Sequence, residues 1–176
     1  MAELKGAESI VARAFNAMPA LVGPVTNRGI EGDMPQLLEE VDRHVAAGDW
    51  RGCLHAGLWV LADDLERAHR ICQEINTPHG AAWHAVVHRR EGDFWNSKFW
   101  WRRAGCVKFE GLAATLRAQL KNAPPELAAW SHGERYDAAG FVDLVEQYAR
   151  EPEMQEPLLA IQRLEWASLF QECWRG

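Results

Sequence analysis

At 176 residues and 19.9 kDa the chain has the length of one domain with its own hydrophobic core, so it needs no disulfide or metal staple to fold. Hydrophobic residues make up 48%, charged residues 25%, and there are nine Trp, which excludes intrinsic disorder and collagen-like or low-complexity architecture. With 19 Lys plus Arg against 25 Asp plus Glu the net charge is −6, so no global positive field draws the protein to nucleic acid or to anionic membranes.

Glu3, Glu8 and Arg13 interrupt the mildly apolar start, which is not a signal-peptide core, and no apolar run approaches the ~18 residues a membrane span needs. Cys53, Cys72, Cys106 and Cys173 form no CxxC pair and read as reduced, mostly buried thiols. A cytoplasmic protein without a membrane partner is the expectation.

In chain order, residues 1–18 read as a short Ala-rich helix, and Pro19, Gly23, Pro24, Gly29 and Gly32 then punctuate the segment up to residue 33. Residues 1–33 are thus expected to be a helix and loop packed on a domain covering residues 34–176. From Met34 the apolar positions recur at helical spacing: Leu37, Leu38, Val41 and Val45, then Leu54, Leu58, Leu61, Leu65, Ala68 and Cys72. Breaks fall at Gly48-Asp49, Asn76-Thr77-Pro78, Gly92-Asp93, Gly105, Asn122 to Pro125, His132-Gly133 and Glu151-Pro152. Thr77, Asp93 and Asp137 are natural helix caps, and Pro78 suits a first helical position. The last helix, about 155–173, sets Leu158, Ile161, Leu164, Ser168 and Leu169 on one side, with Glu165 the one charged intruder. The pattern predicts an all-α, single-domain bundle of about seven helices with a Pro/Gly-rich N-terminal segment; there is no internal repeat and no strand-like alternation.

Five of the seven histidines, His55, His69, His79, His84 and His88, lie on two consecutive predicted helices. At 100° per residue over 52–75, His55, Trp59, Ala62, Glu66, His69 and Gln73 share a stripe beside the apolar face. On the next helix His84, His88 and Glu91 align beside Gly80, Trp83 and Val87. The short Asn76-Thr77-Pro78 link forces an antiparallel hairpin, and at ~1.5 Å rise per residue His69 and His84 both stand ~9 Å from the turn. Inward-facing stripes bring Glu66, His69, His84 and His88 together, with Glu91 and Gln73 outside them. These ligand types and spacings suit one divalent Zn, Fe, Mn or Ni ion, held by His69, His84, His88, Glu66 and Glu91. Glu66 and His69 form one Glu-x-x-His unit; a dinuclear carboxylate centre needs a second unit, which is missing. The competing reading is a metal-free, hydrogen-bonded His/Glu network inside the bundle. His55 fits boundary packing, and His44, His79 and His132 take no role.

Basic and aromatic residues alternate after His88: Arg89, Arg90, Lys98, Arg102 and Arg103 among Phe94, Trp95, Phe99, Trp100 and Trp101. One reading is a Trp-walled anion pocket in which Arg89, Arg90, Arg102, Arg103, Trp83 and Gln73 bind the ligand. The other is that arginines pair with Glu91, Asp93 or Glu110 at the surface while the rings fill the core.

Ala68-His69 through Gln73, Pro78, Gly80, Trp83-His84, His88-Arg89-Arg90-Glu91, Asp93, Asn96, Trp100, Arg102-Arg103 and Gly105 resemble the signature of a family of uncharacterised bacterial all-helical proteins with a His-x3-His-Arg-Arg-Glu motif. Downstream, Asp137, Phe141-Val142-Asp143-Leu144, Ile161-Gln162, Glu165-Trp166, Leu169-Phe170 and Cys173 are similar to its carboxy-terminal pattern, so the likeness covers about residues 50–175. The chain departs from that pattern at Ala68, Gly92 and Cys106 to Lys108, where the family usually has Ser, Pro and a His-Pro step. The resemblance implies an all-helical domain with its focus at residues 69–103 and says nothing about substrate.

Three functional classes follow. In a metal-assisted small-molecule enzyme His69, His84, His88 and Glu66 are catalytic and an arginine orients an anionic group; without metal, a His poised by Glu66 or Glu91 serves as acid or base. A ligand-binding module without turnover would use Trp59, Trp83, Trp95, Trp100 and Trp101 as walls. A structural or interaction protein, for instance a homodimer, would use the histidines only to knit its core. No Ser nucleophile elbow, Walker loop or dinucleotide fingerprint is present.

Overall fold

The computed structural model describes residues 20–23, 30, 32–105 and 107–176. Those residues are all-α and without strands, 73% of the structure being helical. Nine α-helices follow in order: α1 (Met34–His44), α2 (Asp49–Leu61), α3 (Leu65–Cys72), α4 (Pro78–Glu91), α5 (Phe94–Arg103), α6 (Leu112–Gln119), α7 (Pro125–Trp130), α8 (Ala138–Tyr148) and α9 (Pro152–Arg175), with a 3-10 turn over Leu120–Asn122 between α6 and α7. The helical class agrees with the periodicity, but about seven becomes nine. The predicted helix over 52–75 is two helices, and the expected helix at residues 1–18 lies outside the described residues, as do Pro19, Pro24 and Gly29.

The starts are chemically determined. Thr77 Oγ1 accepts from Gly80 N at 3.2 Å, Asp93 Oδ1 from Asn96 N at 3.2 Å, and Asp137 Oδ1 from Gly140 N at 2.9 Å, each satisfying a free first-turn amide. A fourth cap, Asp64 Oδ1 accepting from Arg67 N at 3.0 Å, explains the unpredicted break. Asp63 sits at φ 63°, which turns the chain out of α2 so that α3 restarts at Leu65.

Two apolar cores lie side by side. The larger packs α1 to α5 against the C-terminal half of α9 through Leu37, Leu54, Leu61, Trp83, Val87, Trp166 and Phe170. The smaller joins α6 to α8 with Leu21, Leu158 and Ile161. Within the first, a Cβ on Gly57 would come within 2.7 Å of the Trp83 ring, and Gly57 O accepts from Trp166 Nε1 at 2.8 Å, so glycine here lets two indoles close on α2. The chain at residues 20–23 packs on the bundle: Gly23 N donates to Arg90 O at 2.7 Å and Gln162 Nε2 to Ala20 O at 2.7 Å.

The centre is α4, whose residues from Gly80 to Arg90 are all buried. Arg89 and Arg90 are both 0% exposed, and each meets a carboxylate. Arg89 Nη1 donates to Glu165 Oε1 at 2.9 Å, its Nη2 bonds the other Glu165 oxygen, and the guanidinium lies 4.5 Å from the Phe141 ring centroid. Tyr136 donates its phenol to the same carboxylate. Arg90 pairs with Asp63 at the α2–α3 break. The charged intruder on the last helix is therefore the buried counter-ion of Arg89, while Leu164 and Ser168, assigned to the same buried side, are only partly covered.

Removing one partner of a buried ion pair strands the other charge. Glu165→Gln or Arg89→Met is expected to cost ~3–5 kcal/mol in urea denaturation, and the double change to apolar residues to recover a large part of it. A double-variant loss equal to the sum of the two single losses would show that the pair does not act as a unit.

Candidate metal centre

His69 on α3 and His84 and His88 on α4 converge, each offering one ligand atom, and these atoms lie within 4.8 Å of one another. The rings of His84 and His88, one helical turn apart, stack at 4.9 Å with planes 11° apart. His69 stands edge-on to both, with centroids 4.6 Å and 4.9 Å away. Trp100 of α5 covers His84 at 4.0 Å with an interplanar angle of 19°. Among the described residues this is the one His/Cys/Asp/Glu group compact enough to hold a metal ion.

Two carboxylates border it. Glu91 reaches His69 Nδ1 with Oε1 at 3.5 Å and His88 Nδ1 with Oε2 at 3.3 Å, and Asp93 Oδ2 lies 3.7 Å from His88 Nδ1. The turn that places them is a paired C-terminal cap: Gly92 at φ 81° donates to Arg89 O at 3.1 Å and Asp93 N to His88 O at 2.8 Å. Asp93 is held in turn by Asn96 Nδ2 at 2.6 Å. The side chains of His69 and Glu91, 33% and 32% exposed, form the side open to solvent, and that of His88 is 10% exposed.

The His–carboxylate distances exceed the ~2.7–3.2 Å of a made hydrogen bond, and both ring nitrogens of His84 are buried without a hydrogen-bond partner among the described residues. Burial, and then the neighbouring His69 and His88, lower the His84 pKa to about 4; burial also lowers that of His88, with Glu91 opposing the shift. The imidazoles of His84 and His88 are accordingly inclined to the neutral form that binds metals.

The other expected site residues lie elsewhere. Glu66 is in the first turn of α3, its side chain 84% exposed and 4.0 Å from Arg70. It shares α3 with His69 but lies in the first turn and opens to solvent; the α2–α3 break instead separates both from His55 and Trp59, with which one continuous helix had aligned them. Gln73 follows the end of α3 and faces solvent. Trp83 is a core residue at 0% exposure, packed on Gly57 and Trp166. Arg89 and Arg90 are committed to buried carboxylates, so neither is available to an anion; only Arg102 and Arg103 remain exposed. His55 lies 2.9 Å from Asp42 at the helix boundary. Sequence reasoning gave Asp93 a helix cap or a surface arginine as partner, not His88, and overlooked Trp100 as a cover for His84; the short His88-to-Asp93 spacing through Gly92 is the signal for the former.

Comparison with known protein families, curated proteins and solved structures finds no match. No helix among the described residues is long and apolar enough to cross a membrane.

The pH response follows from the depressed His84 pKa. The unfolded imidazole takes a proton near the ordinary 6.5, whereas the folded one takes it only near 4, so between these values the unfolded state binds more protons. Metal-free protein should hold the full stabilisation above pH 6.5 and lose it as pH falls towards 4, by up to ~1.4 kcal/mol per pH unit for this one group. Urea titrations across that window should show a steeper pH slope for the wild type than for His84→Gln; identical slopes would contradict the assignment.

Proposed function

We propose that the protein is a metal-dependent small-molecule enzyme whose centre is His69, His84 and His88, with zinc as the preferred ion. The observation that carries the reading is the convergence of three imidazoles, one of them buried with neither nitrogen satisfied. An orphaned buried nitrogen costs ~1–3 kcal/mol, and a shared cation relieves several at once. Three protein ligands with one side open to water is the pattern of catalytic rather than closed structural zinc sites. Zn–N bonds of ~2.0–2.1 Å separate tetrahedral ligands by about 3.4 Å, so the trio closes on the ion by small side-chain rotations.

In this reading His69, His84 and His88 would hold a divalent ion, which would supply an acidified water and Lewis-acid polarisation of a substrate oxygen at the solvent side. Glu91, beside His69 and His88, would orient those rings and take up the proton of that water; Trp100 covers His84. Glu66 has no part, and Arg89 and Arg90 act only through the fold, by anchoring α4. The reaction class this supports is hydrolysis or hydration of a small substrate.

Equilibrium dialysis against zinc, followed by elemental analysis, is expected to give one ion per chain. His69→Ala, a change at a half-exposed position that the fold tolerates, should abolish stoichiometric uptake, and Glu91→Gln should weaken it by roughly 10–100-fold. Failure of the wild type to retain zinc, or equal retention by His69→Ala, would overturn the proposal.

A further inference from the structure

The outer face of α5 leaves aromatic and basic side chains open to solvent. At 100° per residue Trp95, Phe99, Arg102 and Arg103 fall within an arc of about 100°. Trp95 is 69% exposed and Phe99 37%, the two rings stacking at 6.1 Å with planes 12° apart. Phe99 meets Trp100 edge-to-face at 5.6 Å, and Trp100 lies on His84 at 4.0 Å, so a continuous aromatic ladder runs from open solvent to the three-histidine group. Arg103 stands 5.3 Å from the Trp100 ring. Among the described residues neither Arg102 nor Arg103 has an acidic partner, whereas Lys98 on the flank is held by Asp143 at 2.7 Å.

We infer that this face is the binding shelf for an aromatic anion, an arene bearing a carboxylate or phosphate, that docks beside the three-histidine group. Ring stacking on Trp95 and Phe99 supplies the apolar contact, and Arg103 with Arg102, about one helical turn further along (~6 Å), supplies the charge. The patch has the size of a ring, not of a protein: at ~150–250 Å² per aromatic side chain the two rings offer roughly 250 Å². A stable interface needs about 800 Å² per partner, so a second copy of this chain is a poor occupant. The inference deepens the proposed enzyme by naming its substrate class, and it rests on that reading only for what happens once the ligand is bound.

Calorimetric titration of benzoate, acetate and benzyl alcohol into the full chain, with and without zinc, tests it. Benzoate should bind at least tenfold more tightly than acetate or benzyl alcohol, and this preference should persist without zinc. Trp95→Ala should remove the preference over acetate, and Arg103→Ala should reduce the preference over benzyl alcohol. Both variants should keep the wild-type melting temperature and zinc stoichiometry. If no zinc is retained but benzoate is still preferred and Trp95→Ala abolishes that preference, the metal reading fails and the shelf stands. If benzoate and acetate bind alike, or Trp95→Ala changes nothing, the shelf is overturned. A wild-type dimer in sedimentation that Trp95→Ala dissociates would overturn it too, by giving the face to a second copy.

Discussion

Every residue of α4 from Gly80 to Arg90 is withdrawn from water, and the rest of the structure answers to that constraint. A helix buried all round cannot leave charged groups unmet, because an isolated charge in a low-dielectric interior is far costlier than any contact it displaces. Arg89 therefore draws Glu165 into the middle of α9, and Arg90 draws Asp63 to the α2–α3 break. These two pairs tie the central helix to elements remote in sequence. They also fix its rotation, and with it the direction in which His84 and His88 point.

His84 differs from the two arginines on that helix in having no carboxylate against it among the described residues. Arg89 and Arg90 meet carboxylates in the interior, but the imidazole of His84 lies among rings, those of Trp100, His88 and the edge of His69, with no hydrogen-bond partner among the described residues. Each of the two buried arginines meets a carboxylate through at least one Nη, although Arg89 Nε and Arg90 Nε and Nη1 are left over, whereas among the described residues neither nitrogen of His84 has a hydrogen-bond partner. Violations of local satisfaction of this kind concentrate at functional sites. The depressed basicity of His84, caused first by burial and then by the neighbouring His69 and His88, fits the same account.

Much of this was legible in the residues, and the parts that were not share a cause. The all-helical class, the Thr77, Asp93 and Asp137 caps and the His69–His84–His88 convergence came from local periodicity and from one short turn. Glu66 stays out of the cluster although it shares α3 with His69, because its first-turn side chain opens to solvent beside Arg70; the unbroken 100° count fails instead for His55 and Trp59, which lie beyond the break where Asp63 takes a left-handed conformation and Asp64 caps a new helix. Asp-Asp before Leu65 is a cap signal outweighed by the uninterrupted apolar spacing. The arginines were misread for a different reason: their counter-ions come from Glu165 and Asp63, and nothing in local spacing says which distant carboxylate a buried guanidinium will reach. The apolar stripe of α9 carried the one hint, a Glu where an apolar residue was due.

The central claim is that the three imidazoles share one ion. X-ray absorption at the zinc edge of protein loaded with one equivalent tests it most directly. The account predicts three nitrogen scatterers at about 2.0–2.1 Å with imidazole outer-shell features and a light oxygen neighbour. A spectrum with six oxygen neighbours, or with sulfur at about 2.3 Å, would place the metal elsewhere and contradict it.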